Sequence, residues 1–220
     1  MAEKPLPSVE EAEKIIAAFP VTVGNESVPL LAARGRILAA DILSPFAMPE
    51  FDKSAMDGYA YGSDDRSPAY QIIETIAAGA TPRLTVHRGQ CAKIMTGAML
   101  PAGADRVVRR ECTRETNGSM QITADDRNSN VRKKGEDLEA GELALERGSA
   151  LQAAQIALLA SLGLAEVPVA RPPRVGILTT GSELADPGAL LAPGQIYNSN
   201  SYSLAAQVCA LGAEALLLGS

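Results

Sequence analysis

The sequence predicts a multi-domain protein of mixed α+β and α/β class: a helical linker domain with a β-rich domain inserted into it, then the start of a βαβ domain. Three observations lead there. Helical periodicity occurs near residue 10 and again near residue 155, on either side of a block that reads as short strands and glycine turns. After residue 173 a continuous apolar run, Val175–Leu178, precedes a polar glycine loop and a further helical pattern. One inserted domain whose flanking pieces pack together explains this order, with the linker at 1–43 and 140–172, the insert at 44–139 and the α/β part at 173–220.

The first helix is announced by Ser8-Val9-Glu10-Glu11, a capping box with Ser at the N-cap and Glu three residues on. Val9, Ala12, Ile15, Ile16 and Phe19 recur at helical spacing, so one face is expected to be buried, with Pro20 as the stop. A second helix is expected from Pro29, carrying Leu30, Ala33, Ile37 and Leu38 inward. Ser44-Pro45 and Met48-Pro49 then break the pattern. Strands are expected at Tyr70–Ile76, Cys91–Met95, Val107–Glu111 and Met120–Thr123, with Asn117-Gly118 as a hairpin turn joining the last two.

Ser149-Ala150-Leu151-Gln152 reads as a second capping box. Leu151, Ile156, Leu158, Leu159 and Leu162 form the apolar face of the helix it opens, and Gly163 is the C′ residue. Val167–Val169 is a strand and Pro172-Pro173 a stiff connector. Val175–Leu178 has the texture of a buried parallel strand. A later helix carries Leu204, Ala205, Val208, Cys209 and Leu211 and stops at Gly212, and Ala215–Leu218 is the next buried strand. A single βαβ unit leaves sheet edges and one face bare, so the chain is expected to stop inside a domain or to complete the layer with another chain.

Composition narrows the function classes. Of 220 residues 46% are apolar and 21% charged, which suits a folded protein; aromatics are 4% and Trp is absent, so the cores must be aliphatic. A net charge of -6 argues against general nucleic-acid binding. The start lacks the apolar run of a secretory signal, and the apolar stretch 153–160 is too short to span a bilayer, so a cytoplasmic location without membrane attachment is expected. Cys91, Cys112 and Cys209 are odd in number and far apart, so buried reduced thiols are expected rather than a disulfide framework. His87, the single histidine, reads as a surface strand residue, which leaves no zinc site or Ser-His-Asp triad.

Three stretches could carry chemistry. Ser54-Ala55-Met56-Asp57-Gly58-Tyr59-Ala60 places one carboxylate beside a glycine, where a positive φ or a close approach is required. An Asx-turn is the bland reading of Asp57. The loop after Leu178, Thr179-Thr180-Gly181-Ser182-Glu183, lies where α/β sheets bind ligands, and its free N–H groups favour anions. Ser199 and Asn200 lie where the next helix begins, to cap it or to donate to a phosphate. Glu183 would repel a phosphate unless a Mg²⁺ ion or a shared proton intervenes. Arg132-Lys133-Lys134 and Glu136-Asp137 read either as a solvated turn of mutual ion pairs or as an oxyanion subsite with Arg132 as bidentate donor. Thr96-Gly97-Ala98 closes a strand with a hydroxyl beside a glycine.

Together these pieces resemble the molybdopterin molybdenumtransferase (MoeA) family, which includes the E domain of gephyrin. The residues that carry the resemblance are Pro49–Ala60, Ile94–Ala98, Pro101–Asp105, Gly135–Asp137, Thr180–Leu184 and Gly194–Asn200, in order along nearly the whole chain. The resemblance implies an elongated homodimer in which the 173–220 segment begins a molybdopterin-binding domain. It implies insertion of molybdate into adenylated molybdopterin with release of AMP, aided by Mg²⁺, with molybdopterin adenylyltransferase as the pathway partner. It assigns catalytic roles to Asp57, Thr96, Asp137 and Glu183, with Asp57 and Glu183 as candidate metal ligands. Arg132, Thr180, Gly181, Ser182, Ser199 and Asn200 would bind substrate. The acids of the inserted domain would face the Glu183 loop of the partner chain, and carboxylates near anions are expected to have raised pKa values. The family's chains are longer, so a truncated, inactive dimerisation or scaffold module is the alternative. An independent phosphate-binding module at 174–220 is the weaker third reading, and no nucleotide affinity is expected of it.

Overall fold

The computed structural model describes residues 7–19 and 21–219. In chain order the elements are α1 (Val9–Ala17), β1 (Asn25–Pro29), a 3₁₀ turn (Leu30–Ala33), β2 (Ile42–Leu43), β3 (Lys53–Ser54), β4 (Gly58–Tyr61), β5 (Tyr70–Ile76), β6 (Gln90–Ile94) and β7 (Arg106–Arg109). A second 3₁₀ turn (Arg110–Cys112) leads to β8 (Thr113–Thr116), β9 (Ser119–Ile122), β10 (Val131–Arg132) and β11 (Leu143–Leu145). Then come α2 (Ala153–Ser161), β12 (Glu166–Ala170), β13 (Arg174–Ile177), β14 (Leu184–Ala185), β15 (Ile196–Tyr197), α3 (Ser199–Ala210) and β16 (Glu214–Leu217). The described residues divide into two compact units, 42–145 and the flanking residues before 42 with those after 145.

The 42–145 unit is built on a six-stranded sheet in the order β7-β4-β6-β5-β9-β8, in which β5 and β6 are parallel and the other neighbours antiparallel. Strand alternation sends successive residues to opposite faces. Tyr59, Tyr61, Cys91 and Val108 therefore pack with Tyr70 and Met120 on one side, and Ala60, Ala92, Ile94 and Val107 with Ile76 and Ala98 on the other. β4 is buried along its whole length because both of its faces are covered. Each such large side chain contributes about 1.5–3 kcal/mol by leaving water. β2 pairs with β11, and β3 with β10.

Asn117 and Gly118, at φ 48° and 75°, form the expected tight turn. It joins β8 to β9 rather than the β7 segment, because the chain turns through 110–112 after Arg109 and then starts a new strand. His87 lies exposed in the turn leading into β6, not on a strand.

The flanking unit corrects the expectation of a helical linker: it is mainly strand pairs with few helices. β1 pairs antiparallel with β12 over five residues. The helix expected from Pro29 is only the 3₁₀ turn, because Pro29 still belongs to β1 and Gly35, at φ 79°, ends the turn. Ala33 and Leu38 are buried as expected, but Ile37 is exposed. The second capping box shifts by three residues. Ser149 O accepts Leu38 N and Leu151 pairs with Gly35 and Arg36, so that backbone is already engaged and Gln152 with Gln155 caps α2 instead. Leu151, Leu159 and Leu162 are buried, and Gly163 takes its C′ place at φ 77°.

α1 has the expected capping box, with Ser8 Oγ accepting Glu11 N. Its apolar face is not buried: Val9 is 72% and Phe19 71% exposed. Pro20, expected to stop it, lies outside the described residues. β13 and β16 are parallel and joined through α3, which is the expected βαβ unit. Its strands are not buried: Ile177 is enclosed while Val175, Leu178, Leu217 and Leu218 are exposed. Cys91 and Cys112 are buried thiols, but Cys209 is exposed on α3.

Candidate functional site

In the 42–145 unit the site is organised by β3, only two residues long. On one side it pairs with β10, Lys53 opposite Arg132 and Ser54 opposite Val131. On the other, Ser54 N donates to Ala98 O, Gly97 N donates to Ser54 O, and Lys53 bridges to Met99. Ser54 is buried, and its hydroxyl donates to Met56 O at 2.6 Å, which turns the chain toward Asp57. The Thr96-Gly97-Ala98 loop and the Arg132 segment therefore hang on one strand.

Asp57 is exposed, and one of its oxygens, Oδ1, accepts both Thr96 N at 2.7 Å and Thr96 Oγ1 at 2.8 Å. Those two bonds hold the Asp57 carboxyl below its ordinary range, with the nearby Arg110 charge adding to the effect. The raised value expected for an acid beside anions is thus not the resting condition, and Asp57 stands ionised. Its Oδ2 makes none of these bonds and remains free for a proton or a metal ion. Gly58 explains the glycine beside it. Its φ is not left-handed, but a Cβ there would lie 2.0 Å from Val108 O, so close approach is the reason.

Arg132 is paired with Asp137 and lies 3.5 Å from Glu136. Lys133 Nζ and Lys134 N both reach Asp52, each at 2.8 Å. Asp137 N donates to Met48 O, and Gly135 N, on a residue at φ 75°, donates to Pro49 O. The solvated-turn reading is therefore true of the pairing, yet the pairing also holds Arg132 on a tight loop beside β3. A guest oxyanion here would share Arg132 with its acids. Asp52 was missed by sequence reasoning, since nothing in its neighbourhood signals the lysines that lie some eighty positions away.

In the flanking unit the loop after β13 lines a cavity of about 350 Å³, with Thr180, Glu183, Asn198, Ser199 and Asn200 on its wall. Gly181 and Ser182 are not on that wall; Gly181 lies against Glu183, whose carboxylate is 2.7 Å from where a Cβ would sit. Capping belongs to Asn198 rather than Ser199 or Asn200. Asn198 Oδ1 accepts Ser201 N, and its amide donates to Thr179 Oγ1 at 2.9 Å, tying α3 to the loop. Ser199 and Asn200 are thereby left exposed at the helix start, where N–H groups suit an anion. Two larger clefts in the 42–145 unit, of about 620 and 780 Å³, hold none of the expected site residues.

No group of three or more His, Cys, Asp or Glu side chains gathers as a metal cage among the described residues. Asp57 Oδ2 and, in the other unit, the exposed Glu183 carboxylate are oxygen donors of the type that Mg²⁺ takes alongside water and phosphate oxygens. No helix among the described residues is long and apolar enough to cross a membrane.

The likeness to known proteins covers the same pieces. The MoeA N-terminal region (domain I and II) matches residues 7–163. Molybdopterin molybdenumtransferase 2 of Mycobacterium tuberculosis is 41% identical over 214 residues, which is 94% of this chain and 53% of that protein. The molybdopterin molybdenumtransferase of Bacillus subtilis is 38% identical over 100% of this chain and 54% of its own length. The crystal structure of a molybdopterin biosynthesis MoeA protein from Pyrococcus horikoshii superposes with a TM-score of 0.86 at 36% identity, covering 98% of this chain and 57% of that one. The chain spans about half the length of the curated relatives it matches.

Proposed function

This chain belongs to the MoeA family by its N-terminal region, and on that premise we propose that it serves molybdenum cofactor biosynthesis, inserting molybdate into adenylated molybdopterin with release of AMP. The observation that carries the reading is that β3 has on one side the Thr96–Ala98 loop, which holds an ionised Asp57, and on the other the Arg132 segment with its Asp137 partner.

When two dithiolene thiols displace one oxide of molybdate, two S–H bonds break, two Mo–S bonds form, and the oxide leaves with both protons as water. An ionised carboxylate is suited to take a thiol proton and return it to the departing oxide, so Asp57 acts as the relay and Thr96 fixes its orientation. Arg132 binds the oxyanion while Asp137 aligns its guanidinium. Thr180, Ser199 and Asn200, on the cavity wall, take the pterin phosphates with the amides of Gly181 and Ser182 in the adjoining loop, and Asp57 and Glu183 are the carboxylates that would hold Mg²⁺. Bound Mg²⁺ would offset the phosphate charge. Residues 173–220 are the first part of the molybdopterin-binding domain, and residues 44–139 the insert. The protein works as a homodimer, and molybdopterin adenylyltransferase supplies the substrate.

The test is AMP release by the protein expressed from its full reading frame, given adenylated molybdopterin, with molybdate and Mg²⁺ varied. Release that needs both, and that is lost in Asp57→Asn and Glu183→Gln, is expected. Full rates in both variants would remove the residue assignments. The second reading is a catalytically inactive dimerisation or scaffold module of the same family. Dimer formation with no molybdate-dependent release would select it.

A further inference from the structure

Among the described residues Asp126 is the one charged side chain that is buried. A carboxylate out of water is costly unless it is bonded, so its partners show what the cost maintains. Its Oδ2 accepts Arg109 N at 3.0 Å, Arg109 Nε at 3.1 Å and Asn130 Nδ2 at 2.8 Å. Arg106 donates to its backbone carbonyl. The carboxylate thus clips the 124–130 loop to β7.

Both ends of that clip run to the site. Asn130 sits at φ 52°, a conformation unusual for a residue with a side chain, and its amide also donates to Val107 O at 2.9 Å. Its carbonyl accepts Ala55 N, and the next two residues are β10, ending in Arg132. On the other side, the residue after Arg109 donates from Arg110 N to Asp57 O at 3.0 Å. One buried carboxylate is therefore bonded to the residue preceding β10 and to the residue preceding the one that holds Asp57.

We propose that Asp126 is a positioning residue that fixes Arg132 relative to Asp57, holding the oxyanion contact at a set spacing from the proton relay. This rests on the functional reading above. Asp126 touches no substrate; it acts through Asn130 and Arg109.

The test compares Asp126→Asn and Asn130→Gly with the parent. Asn130→Gly keeps the positive φ and removes the side-chain bonds to Asp126 and to Val107 O, so it covers the case in which Asp126→Asn fails to fold. By hydrogen exchange, Asp126→Asn is expected to speed exchange of the Ala55 and Arg110 amides while those of β5 and β6 keep their protection. Asn130→Gly is expected to affect Ala55 alone. In molybdate-dependent AMP release, half-saturating molybdate should rise roughly ten- to hundredfold with the maximal rate much less changed. In an Arg132→Ala background neither variant should add to that rise. Unchanged exchange at Ala55 and Arg110, or effects that add to those of Arg132→Ala, would overturn the positioning role. A parent protein with no molybdate-dependent release would instead sink the functional reading itself, so the two failures are told apart.

Discussion

Thr96 donates twice to a single oxygen of Asp57, from its backbone N at 2.7 Å and its hydroxyl at 2.8 Å. The carboxyl pKa is held below the ordinary value by these bonds, so the ionised form is present above that lowered value and is lost only as pH falls through it. Thr96→Val removes the hydroxyl and keeps the backbone donor. The Asp57 carboxyl should then titrate higher, toward the ordinary value of about 3.9, when followed by carbon-13 NMR. The acid limb of AMP release should move up with it, whereas Asp57→Asn should cost about 10²–10⁴ in rate at every pH. A titration unmoved by Thr96→Val would detach the pair from the relay role.

Gly58 tests the backbone of the same stretch. A methyl there would meet Val108 O at 2.0 Å, within the β4–β7 ladder, and neither partner is a side chain that can swing away. Gly58→Ala should lower stability by about 3 kcal/mol or more in urea unfolding. Gly97 is the control. It lies at φ 82° with nothing within 4 Å of where a methyl would sit, so Gly97→Ala should cost only about 1–2 kcal/mol for left-handed backbone.

Legibility in the sequence followed the range of the interactions. Ser8 with Glu11, Asn117-Gly118 and Gly163 were readable because each feature is completed within a few residues. The Pro29 helix and the Ser149 cap failed for the opposite reason: β1 finds its partner in β12, and Leu38 its carbonyl at Ser149, more than a hundred positions away. The buried face expected of α1 failed because periodicity reports amphipathicity and not what covers the apolar side. At the site, Asp57 and Thr96 were named through resemblance, but their bond and its direction on the pKa came only from the fold. Asp52 and Asp126 carried no local signal, since their donors are distant in sequence or lie on another strand.

Thiol labelling checks the two cysteine environments. Burial pushes the Cys91 thiol up to about 12, the Glu115 charge adding to it, whereas Cys209 is exposed. In native protein at mildly alkaline pH, iodoacetamide should modify Cys209 and leave Cys91 untouched until the sheet is unfolded. Prompt native modification of Cys91 would mean the β4–β6 core opens far more readily than its packing implies.

Asn198 joins two functions that are usually separate, since it caps α3 and ties the loop after β13 through Thr179. Asn198→Ala should cost about 1–2 kcal/mol in thermal or urea unfolding. Asn198→Asp keeps the cap oxygen but cannot donate to Thr179, so it should recover much of the stability while the Thr179 loop stays loosened. Equal losses from both would show that the loop tie, and not the cap, is what stabilises the helix start.

Gly181 separates the loop's backbone from its chemistry at the second cluster. A Cβ there would come within 2.7 Å of the Glu183 carboxylate, the far end of a flexible side chain, which can give way. The backbone is less forgiving, because φ 158° is a conformation that side chains rarely adopt. Gly181→Ala should therefore cost about 1–3 kcal/mol in unfolding, the usual range for one such residue. The displaced carboxylate should also weaken the apparent Mg²⁺ dependence of AMP release, because a metal contact depends on where the oxygen sits. Glu183→Gln should shift that dependence in the same direction with little effect on stability, and in the double variant the shift should be no larger than in Glu183→Gln alone. If Gly181→Ala lowered release while the Mg²⁺ dependence stayed put, the glycine would be serving the loop's amides and the phosphate, and Glu183 would lose its assignment to the metal.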